Sequence, residues 1–281
     1  MADWGLASGF RAESFGTNNA GTSNSETPVT SNATANTKGS WAQLAGSTTF
    51  DAAMLMLNIS TQFGDTNYLI DIGIGGAGSE QIIIPDLAVA LNNGTAVSVS
   101  IPIAVPAGSR IAARCQDDFG GSTAYLSGIL YSASFLNMPP FHTVTAYGAV
   151  TGTSSGTIAD AGATANTKGA WAQLTASTSQ AHSGLLVAAV RPVLSTVITA
   201  NYSQLADIGI GGAGSEQILI PNLFSFASRS SQPSFKGLVS PGVFHLPPCD
   251  IPPGVRLAVR QQSTTTNASD RQGAYVVYGL S

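Results

Sequence analysis

Charged side chains are scarce in this sequence, and the scarcity limits what the protein can bind. Eleven basic and fifteen acidic residues make up 9% of the 281 residues, against about a quarter in an average soluble domain. Eleven basic residues are too few for the positive stripe with which proteins bind nucleic acid. The net charge is only −4 and 43% of the residues are hydrophobic, so the composition does not indicate disorder. We therefore expect a folded protein with an uncharged polar surface and no nucleic-acid partner.

Cysteine and long apolar runs are also nearly absent. The two cysteines, Cys115 and Cys249, are too few for a disulfide framework and too far apart for a metal pair, so we expect two buried apolar side chains. No run approaches the ~18 apolar residues of a transmembrane helix. Asp3 stands where a secretory signal would carry basic residues. These absences predict a soluble chain without membrane insertion or a secretory signal.

The main feature that is present is an internal repeat, in which four blocks recur in the same order. TANTKGSWAQL (34–44) recurs as TANTKGAWAQL (164–174), DIGIGGAGSEQIIIPDL (71–87) as DIGIGGAGSEQILIPNL (207–223), VPAGSRIAARCQ (105–116) as IPPGVRLAVRQQ (251–262), and AYLSGILYS (124–132) as AYVVYGLS (274–281). We predict an N-terminal arm over residues 1–9, a first repeat over 10–138 and a second repeat over 141–281, joined near Pro139-Pro140.

The periodicity of both repeats is that of strands. Residues 68–74 and 109–115 alternate between apolar and polar or small side chains, and helical periodicity is hard to find. About eight strands are predicted in the first repeat, near residues 9–16, 40–45, 51–59, 67–74, 80–84, 95–101, 109–116 and 123–134. This number of short strands in ~130 residues predicts an all-β protein of two tandem antiparallel β-sandwiches of jelly-roll type. An immunoglobulin-like sandwich is the alternative.

The segment Gly73 to Gly78 has the pattern G-x-G-x-x-G of dinucleotide-binding proteins. In those proteins the glycines open a helix whose N-terminus faces the pyrophosphate. Here the residues that follow, 79–85, predict another strand that ends at Pro85. We therefore interpret the segment as a glycine-rich turn between two strands and expect no nucleotide cofactor.

Five pairs of charged residues occupy matched positions in the two repeats. They are Lys38/Lys168, Asp71/Asp207, Glu80/Glu216, Arg110/Arg256 and Arg114/Arg260. Arg110 and Arg114 lie on one face of a predicted strand, so we predict that the arginines bond to Asp71 or Glu80 of their own repeat, and likewise in the second repeat. The alternative is a hydrolase with Asp71 and Glu80 as paired carboxylates. Arginine neighbours would keep both ionised, and no matched histidine or tyrosine completes such a site, so we expect no catalytic residues.

The remaining candidates for metal or catalytic chemistry are few. His142, His182 and His245 have no matched partners and no metal-ligand spacing, and we expect them at the surface or in turns. Asp117-Asp118 could contribute to a calcium site, but the second repeat lacks this acid pair, so a turn is the preferred interpretation. We expect no metal.

The three tryptophans fall into two groups. Trp41 and Trp171 are matched between the repeats and are expected to be core or inter-sheet anchors rather than sugar platforms. Trp4 lies in the N-terminal arm outside the repeats, where an aromatic side chain needs a partner surface to become ordered. We predict that Trp4 is an assembly contact.

Tandem copies of TANTKGxWAQL, DIGIGGAGSEQIIIPDL and IPxGxRxAxR on an uncharged Ser/Thr/Asn/Gly-rich background resemble virion structural proteins of tailed bacteriophages. The similarity is to their jelly-roll modules, used as head decorations, tail components or fibre attachments, and covers roughly residues 10–281. It implies a non-enzymatic component of the virion, assembled in the host cytoplasm, that binds other virion proteins and itself as a homo-oligomer. A host-surface glycan is a further possible partner. A carbohydrate- or receptor-binding adhesion module and, less favoured, a glycan-degrading enzyme are the alternatives.

Overall fold

The computed structural model describes residues 10–17, 25–61, 66–91, 96–132, 140–190, 202–227, 243–246, 249–268 and 270–281. Within these residues the regular structure is β, apart from one turn of 3-10 helix at Thr151–Thr153. The all-β prediction is therefore confirmed. No helix in this part of the chain is long and apolar enough to span a membrane.

The strands are numbered in chain order. Those of the first repeat are β1 Ala12–Phe15, β2 Thr27–Thr30, β3 Ala42–Ala45, β4 Met54–Thr61, β5 Thr66–Ile74, β6 Gln81–Leu91, β7 Ala96–Ile101, β8 Ile111–Asp117 and β9 Thr123–Tyr131. Those of the second repeat are β10 Val144–Tyr147, β11 Ala149–Val150, β12 Ser155–Asp160, β13 Ala172–Thr175, β14 Gly184–Val190, β15 Tyr202–Ile210, β16 Gln217–Ala227, β17 Val243–Leu246, β18 Leu257–Ser263 and β19 Gln272–Leu280.

Each repeat is a sandwich of one large and one small sheet. In the first repeat the large sheet has the order β1-β9-β4-β7, with β2 also on β9, and the small sheet has the order β3-β8-β5-β6. In the second repeat the orders are β11-β12-β19-β14-β17, with β10 also on β19, and β13-β18-β15-β16. All of these strand pairs are antiparallel, and the alternation between two sheets is that of a jelly roll. The two repeats thus have one architecture.

Two details of the first sandwich differ from the sequence prediction. Strand β2 was not predicted, because four residues with one buried side chain, Val29, carry almost no periodic signal. Strand β6 does not end at Pro85 but continues to Leu91. Proline is tolerated there because β6 is the edge strand of its sheet and the register shifts at this point, with Asp86 at φ 46°.

The two sandwiches share part of their cores. Successive residues of β19 point in opposite directions: Tyr275 and Val277 lie in the core of the second sandwich, whereas Val276 and Tyr278 belong to the core of the first. Strand β14 alternates in the same way. The outer face of the second repeat's large sheet therefore packs on the outer face of the first repeat's small sheet. We call the outer face of a small sheet the small-sheet face and that of a large sheet the large-sheet face.

Candidate functional site

The matched charges of the first repeat meet on its small-sheet face, around Asp71. Asp71 lies in β5 directly opposite Arg114 of β8. Its Oδ2 accepts from Arg114 Nε at 2.8 Å, and its Oδ1 accepts from Lys38 Nζ at 2.8 Å and from the N–H of Asp86 at 2.9 Å. The side chain of Asp71 is only 4% exposed. Every oxygen of this buried carboxylate is thus bonded within the repeat.

The second repeat builds the same cluster around Asp207. Lys168 Nζ lies 2.7 Å and Arg260 Nε 3.0 Å from its carboxylate, and the N–H of Asn222 donates at 2.9 Å. Burial acts to raise the pKa of Asp207, but these three donors outweigh it, so the pKa lies below its usual value. One position differs between the clusters, because Asn222 replaces Asp86, whose carboxylate lies 2.8 Å from Lys38 Nζ.

The matched tryptophans complete the two clusters. The guanidinium of Arg114 stacks over the ring of Trp41 at 4.7 Å, and Arg260 stacks over Trp171 at 4.6 Å. The edge of the Trp41 ring lies so close to Gly73 that a Cβ at that residue would stand 2.9 Å from the ring. Glycine at this point of β5 is therefore required by the tryptophan. Both rings serve as supports for an arginine on the sheet.

Glu80 and Glu216 organise the glycine-rich turns. Glu80 Oε1 accepts from Arg110 Nη1 at 2.8 Å, while its Oε2 accepts from the N–H of Gly78 at 3.0 Å. Gly75 and Gly78 have φ of 115° and 81°, values that favour glycine. Glu216 bonds to Arg256 at 2.6 Å and to Gly214 at 2.9 Å in the same way. The segment connects two strands and opens no helix.

The ion pairs favour the ionised form of the two turn carboxylates, Glu80 and Glu216. Desolvation acts to raise the pKa of Glu80, but N–H groups of the turn and the Arg110 guanidinium outweigh it and lower the pKa. The same balance lowers the pKa of Glu216. A general acid needs a raised pKa. Asp71 and Glu80 also bind different arginines, Arg114 and Arg110, which lie four residues apart in β8. All eight charged residues predicted from the repeat therefore serve internal ion pairs.

The other sequence candidates also have internal partners. Asp117 is fully buried and accepts from the N–H groups of Phe119 and Ser122 and from the hydroxyl of Ser31, so it closes a turn. Among the described residues no group of three or more His, Cys, Asp or Glu side chains could hold a metal ion. Cys115 is buried, which raises the pKa of its thiol to about 12, and Cys249 is half-buried.

The place of His182 corrects the sequence prediction of an exposed or turn residue. It is 2% exposed, its Nε2 lies 2.7 Å from the hydroxyl of Tyr147, and its buried Nδ1 has no hydrogen-bond partner among the described residues. Ser183 and Asp250 line the same open groove. Since Tyr147 occupies Nε2 and nothing binds Nδ1, these three side chains do not form a serine-histidine-acid relay.

The first repeat has an apolar version of this position. The strand pairing places Phe15, Ala52 and Leu130 at the positions that Tyr147, His182 and Gly279 occupy in the second repeat. A Cβ at Gly279 would lie 2.5 Å from the imidazole, so the histidine fills the space that Leu130 takes in the first repeat. The buried imidazole is therefore a core substitution.

Acidification should weaken the protein through His182. Burial lowers its pKa, so the unfolded chain takes up a proton below its ordinary pKa of ~6.5 while the folded chain does not, and stability falls as the pH drops. We expect the melting temperature to decline from about pH 7 to about pH 5, and the decline to shrink in the triple variant Tyr147→Phe, His182→Ala, Gly279→Leu. Equal slopes in calorimetry would contradict this assignment.

Trp4 and the arm of residues 1–9 lie outside the described residues, as do residues 133–139 between the repeats. The sequence prediction for Trp4 therefore stays a prediction. His245 lies in β17, and His142 follows the short bridge at Phe141.

Comparisons with known proteins do not add a family. No family model and no curated protein matches the chain. Among solved structures, the chain is similar to PNGF-II at 8% identity and a TM-score of 0.35, over 85% of this chain and 59% of that one. It is also similar to the N-terminal CBM22-1-CBM22-2 tandem domain from Paenibacillus barcinonensis Xyn10C, at 9% identity and a TM-score of 0.25, over 97% and 91% of the two chains. Similarity at this level assigns no function.

Proposed function

We propose that the protein is a non-enzymatic structural component of a virion, and that it works by binding neighbouring subunits. The observation that carries the proposal is that the matched charged residues form ion pairs with one another. Asp71, Glu80 and their matched counterparts are each bonded to an arginine of the same repeat. Such pairs hold strands together, and they lower the pKa of Glu80, Asp207 and Glu216, whereas a general acid needs a raised pKa.

The packing of the two repeats supports the same proposal. Jelly rolls that bind one another through broad sheet faces suit an assembled shell or ring, and this chain already contains one such contact between its own repeats. Because the chain has few charged residues, removing one of its faces from water costs little electrostatic free energy.

The aromatic residues give less support to a glycan-binding role than to the assembly role. Sugar platforms need an open aromatic face, whereas Trp41 and Trp171 each carry an arginine on the ring and lie against a strand glycine. The open groove beside the first glycine-rich turn is lined by Arg110, Ser79 and Gln81, and its described lining contains no carboxylate. Its one charged residue, Arg110, is already bonded to Glu80.

The proposal is tested by the protein content of purified particles. Phage particles made with the natural chain should be banded on a density gradient and the copies of this protein counted by quantitative mass spectrometry. We expect several copies per particle and no glycan or ester hydrolysis by the purified protein. Presence in the lysate with absence from the banded particles, or turnover of a glycan, would contradict the proposal.

The N-terminal arm gives a second test of the assembly role. Deleting residues 1–9 should leave the melting temperature unchanged and lower the number of copies per particle, because a chain terminus with an aromatic residue such as Trp4 generally becomes ordered by docking on a partner. Trp4→Ala should reproduce most of the loss. Normal incorporation of the deleted chain would show that the arm makes no contact.

A further inference from the structure

The second repeat carries a small-sheet face equivalent to the one that is covered in the first repeat. In the first repeat Leu69, Ala88 and Gln116 are at most 2% exposed, because the second repeat covers this face. The matched residues of the second repeat are more accessible: Phe224 is 56% exposed, and Leu205 and Gln262 are half-buried. Phe224 pairs with Leu205 across the two strands, and adjoining accessible apolar side chains form the kind of patch that marks an interaction site.

We propose that this small-sheet face of the second repeat binds the large-sheet face of the first repeat in another copy of the same chain. The contact repeats, between chains, the packing that joins the two repeats within one chain. The inference rests on the proposed function, since it names the subunit partner and the surfaces used.

The sizes of the opposing side chains support this partner. Within the chain, the large Tyr278 of β19 reaches the small Ala88, whose N–H donates to the Tyr278 hydroxyl at 2.7 Å. On the large-sheet face of the first repeat, the position of Tyr278 is taken by Ile129, which pairs with Met56 as Tyr278 pairs with Leu186. The smaller Ile129 leaves room for the larger Phe224, which replaces Ala88. The summed volume of the two facing side chains is thus similar in the proposed contact and in the internal contact.

The charges of the two faces are complementary. In the first repeat, Lys38 and Arg114 are balanced by Asp71 and Asp86. In the second repeat Asn222 stands in place of Asp86, so within the described part of the chain the two cations Lys168 and Arg260 share the single carboxylate of Asp207.

Glu26 supplies the missing carboxylate from the other face. It lies on the large-sheet face of the first repeat, where it bonds to the hydroxyls of Ser60 and Ser127. Among the described residues no cation lies within ion-pair distance of it. A half-buried carboxylate with hydroxyl partners alone is a ready partner for a cation of another chain.

The register of the internal contact brings these charges together. Glu26 of the first repeat and Gly156 of the second occupy equivalent strand positions. Glu26 pairs with Thr17 in the way that Gly156 pairs with Ala149. Close to Gly156, the hydroxyl of Ser154 bonds to Asn36 and Gln116 of the first repeat.

Asn36 and Gln116 each lie two residues from a cation of the first cluster, Lys38 and Arg114. The same docking between chains therefore carries Glu26 toward Lys168 and Arg260. Because the two faces differ, the contact is head-to-tail and extends into a closed ring or an open chain.

Two single variants test the proposal, each directed at one face. Phe224→Arg should leave the melting temperature nearly unchanged, because Phe224 is exposed. Glu26→Arg should lower it slightly, because the change gives up the hydrogen bonds to Ser60 and Ser127. Each variant should weaken self-association by about a hundredfold or more. Phe119→Arg is the matched control, because Phe119 is 58% exposed and lies in the turn between β8 and β9, outside the strands of both faces. Sedimentation velocity over a wide concentration range is the measurement.

The decisive sample is an equimolar mixture of the two variants. Each variant keeps one intact face, so the mixture should form a 1:1 dimer and nothing larger, while the natural chain and Phe119→Arg form larger species. A natural chain that stays monomeric, or a mixture that stays monomeric while Phe224→Arg alone abolishes association, would overturn the proposal. A monomeric chain found in banded particles would leave the proposed function standing, whereas self-association without incorporation would count against that function alone.

Discussion

Asp207→Asn should destabilise the protein strongly, and more than the matched change Asp71→Asn. Removing one partner of a buried ion pair costs about 3–5 kcal/mol, and Asp207 is only 3% exposed while serving two cations. Lys168 and Arg260 keep some contact with water, so we expect the lower end, about 3 kcal/mol. This corresponds to a fall in melting temperature of roughly 6–12 °C.

The matched position provides the control for this change. After Asp71→Asn, Lys38 still has the Asp86 carboxylate at 2.8 Å, whereas after Asp207→Asn the second cluster has no carboxylate. The double variant Asp207→Asn, Asn222→Asp should therefore recover part of the lost stability. Equal losses at Asp71 and Asp207 in thermal melts would show that the ion pairs contribute little beyond their hydrogen bonds.

The pH dependence of the same variant has a definite sign. The pKa of Asp207 is lowered on folding, so its contribution is present above the ordinary aspartate pKa of ~3.9 and is lost as the pH falls through the lower folded value. The difference between the natural chain and Asp207→Asn should be full at neutral pH and shrink only below about pH 4.

Much of the sandwich and its ion-pair network could be predicted because the chain contains its own comparison. Alternation with period two indicated β5 and β8, and matched charges picked out the residues that meet there, since a poorly charged chain keeps few charges without a structural reason. The pairing itself, Arg114 with Asp71 and Arg110 with Glu80, follows from strand register. Register depends on long-range packing that sequence spacing does not contain.

The contact between the repeats was missed for the opposite reason. Its residues are those in which the repeats differ: Leu186, Ala188 and Val190 of β14 stand where β4 has Met56, Asn58 and Ser60. Positions that differ between the repeats give no signal in a comparison of one repeat with the other. A signal was nevertheless present, because β14 is apolar at every residue while β4 turns polar on alternate residues. A strand that is apolar on both faces is covered on both faces.

Tyr278→Ala should be the most damaging change in that contact. The ring is fully buried between the repeats, and burial raises the pKa of its hydroxyl, which stays protonated and donates to the Asp86 carbonyl at 2.8 Å. Truncating a buried aromatic residue costs about 3–5 kcal/mol, and the Ala88 N–H also loses its partner. Tyr278→Phe keeps the ring and should cost about 1–3 kcal/mol.

The matched control for the tyrosine is Ile129→Ala, at the equivalent position of the first repeat, where the side chain is only half-buried. In dilute protein, Ile129→Ala should lower the free energy of unfolding clearly less than Tyr278→Ala does. Because residues of both repeats share one core, we also expect calorimetry to show a single unfolding transition that moves as a whole in Tyr278→Ala. Two transitions in the natural chain, with only one responding to the substitution, would mean that each sandwich is stable without the other and that Tyr278 joins two independent units.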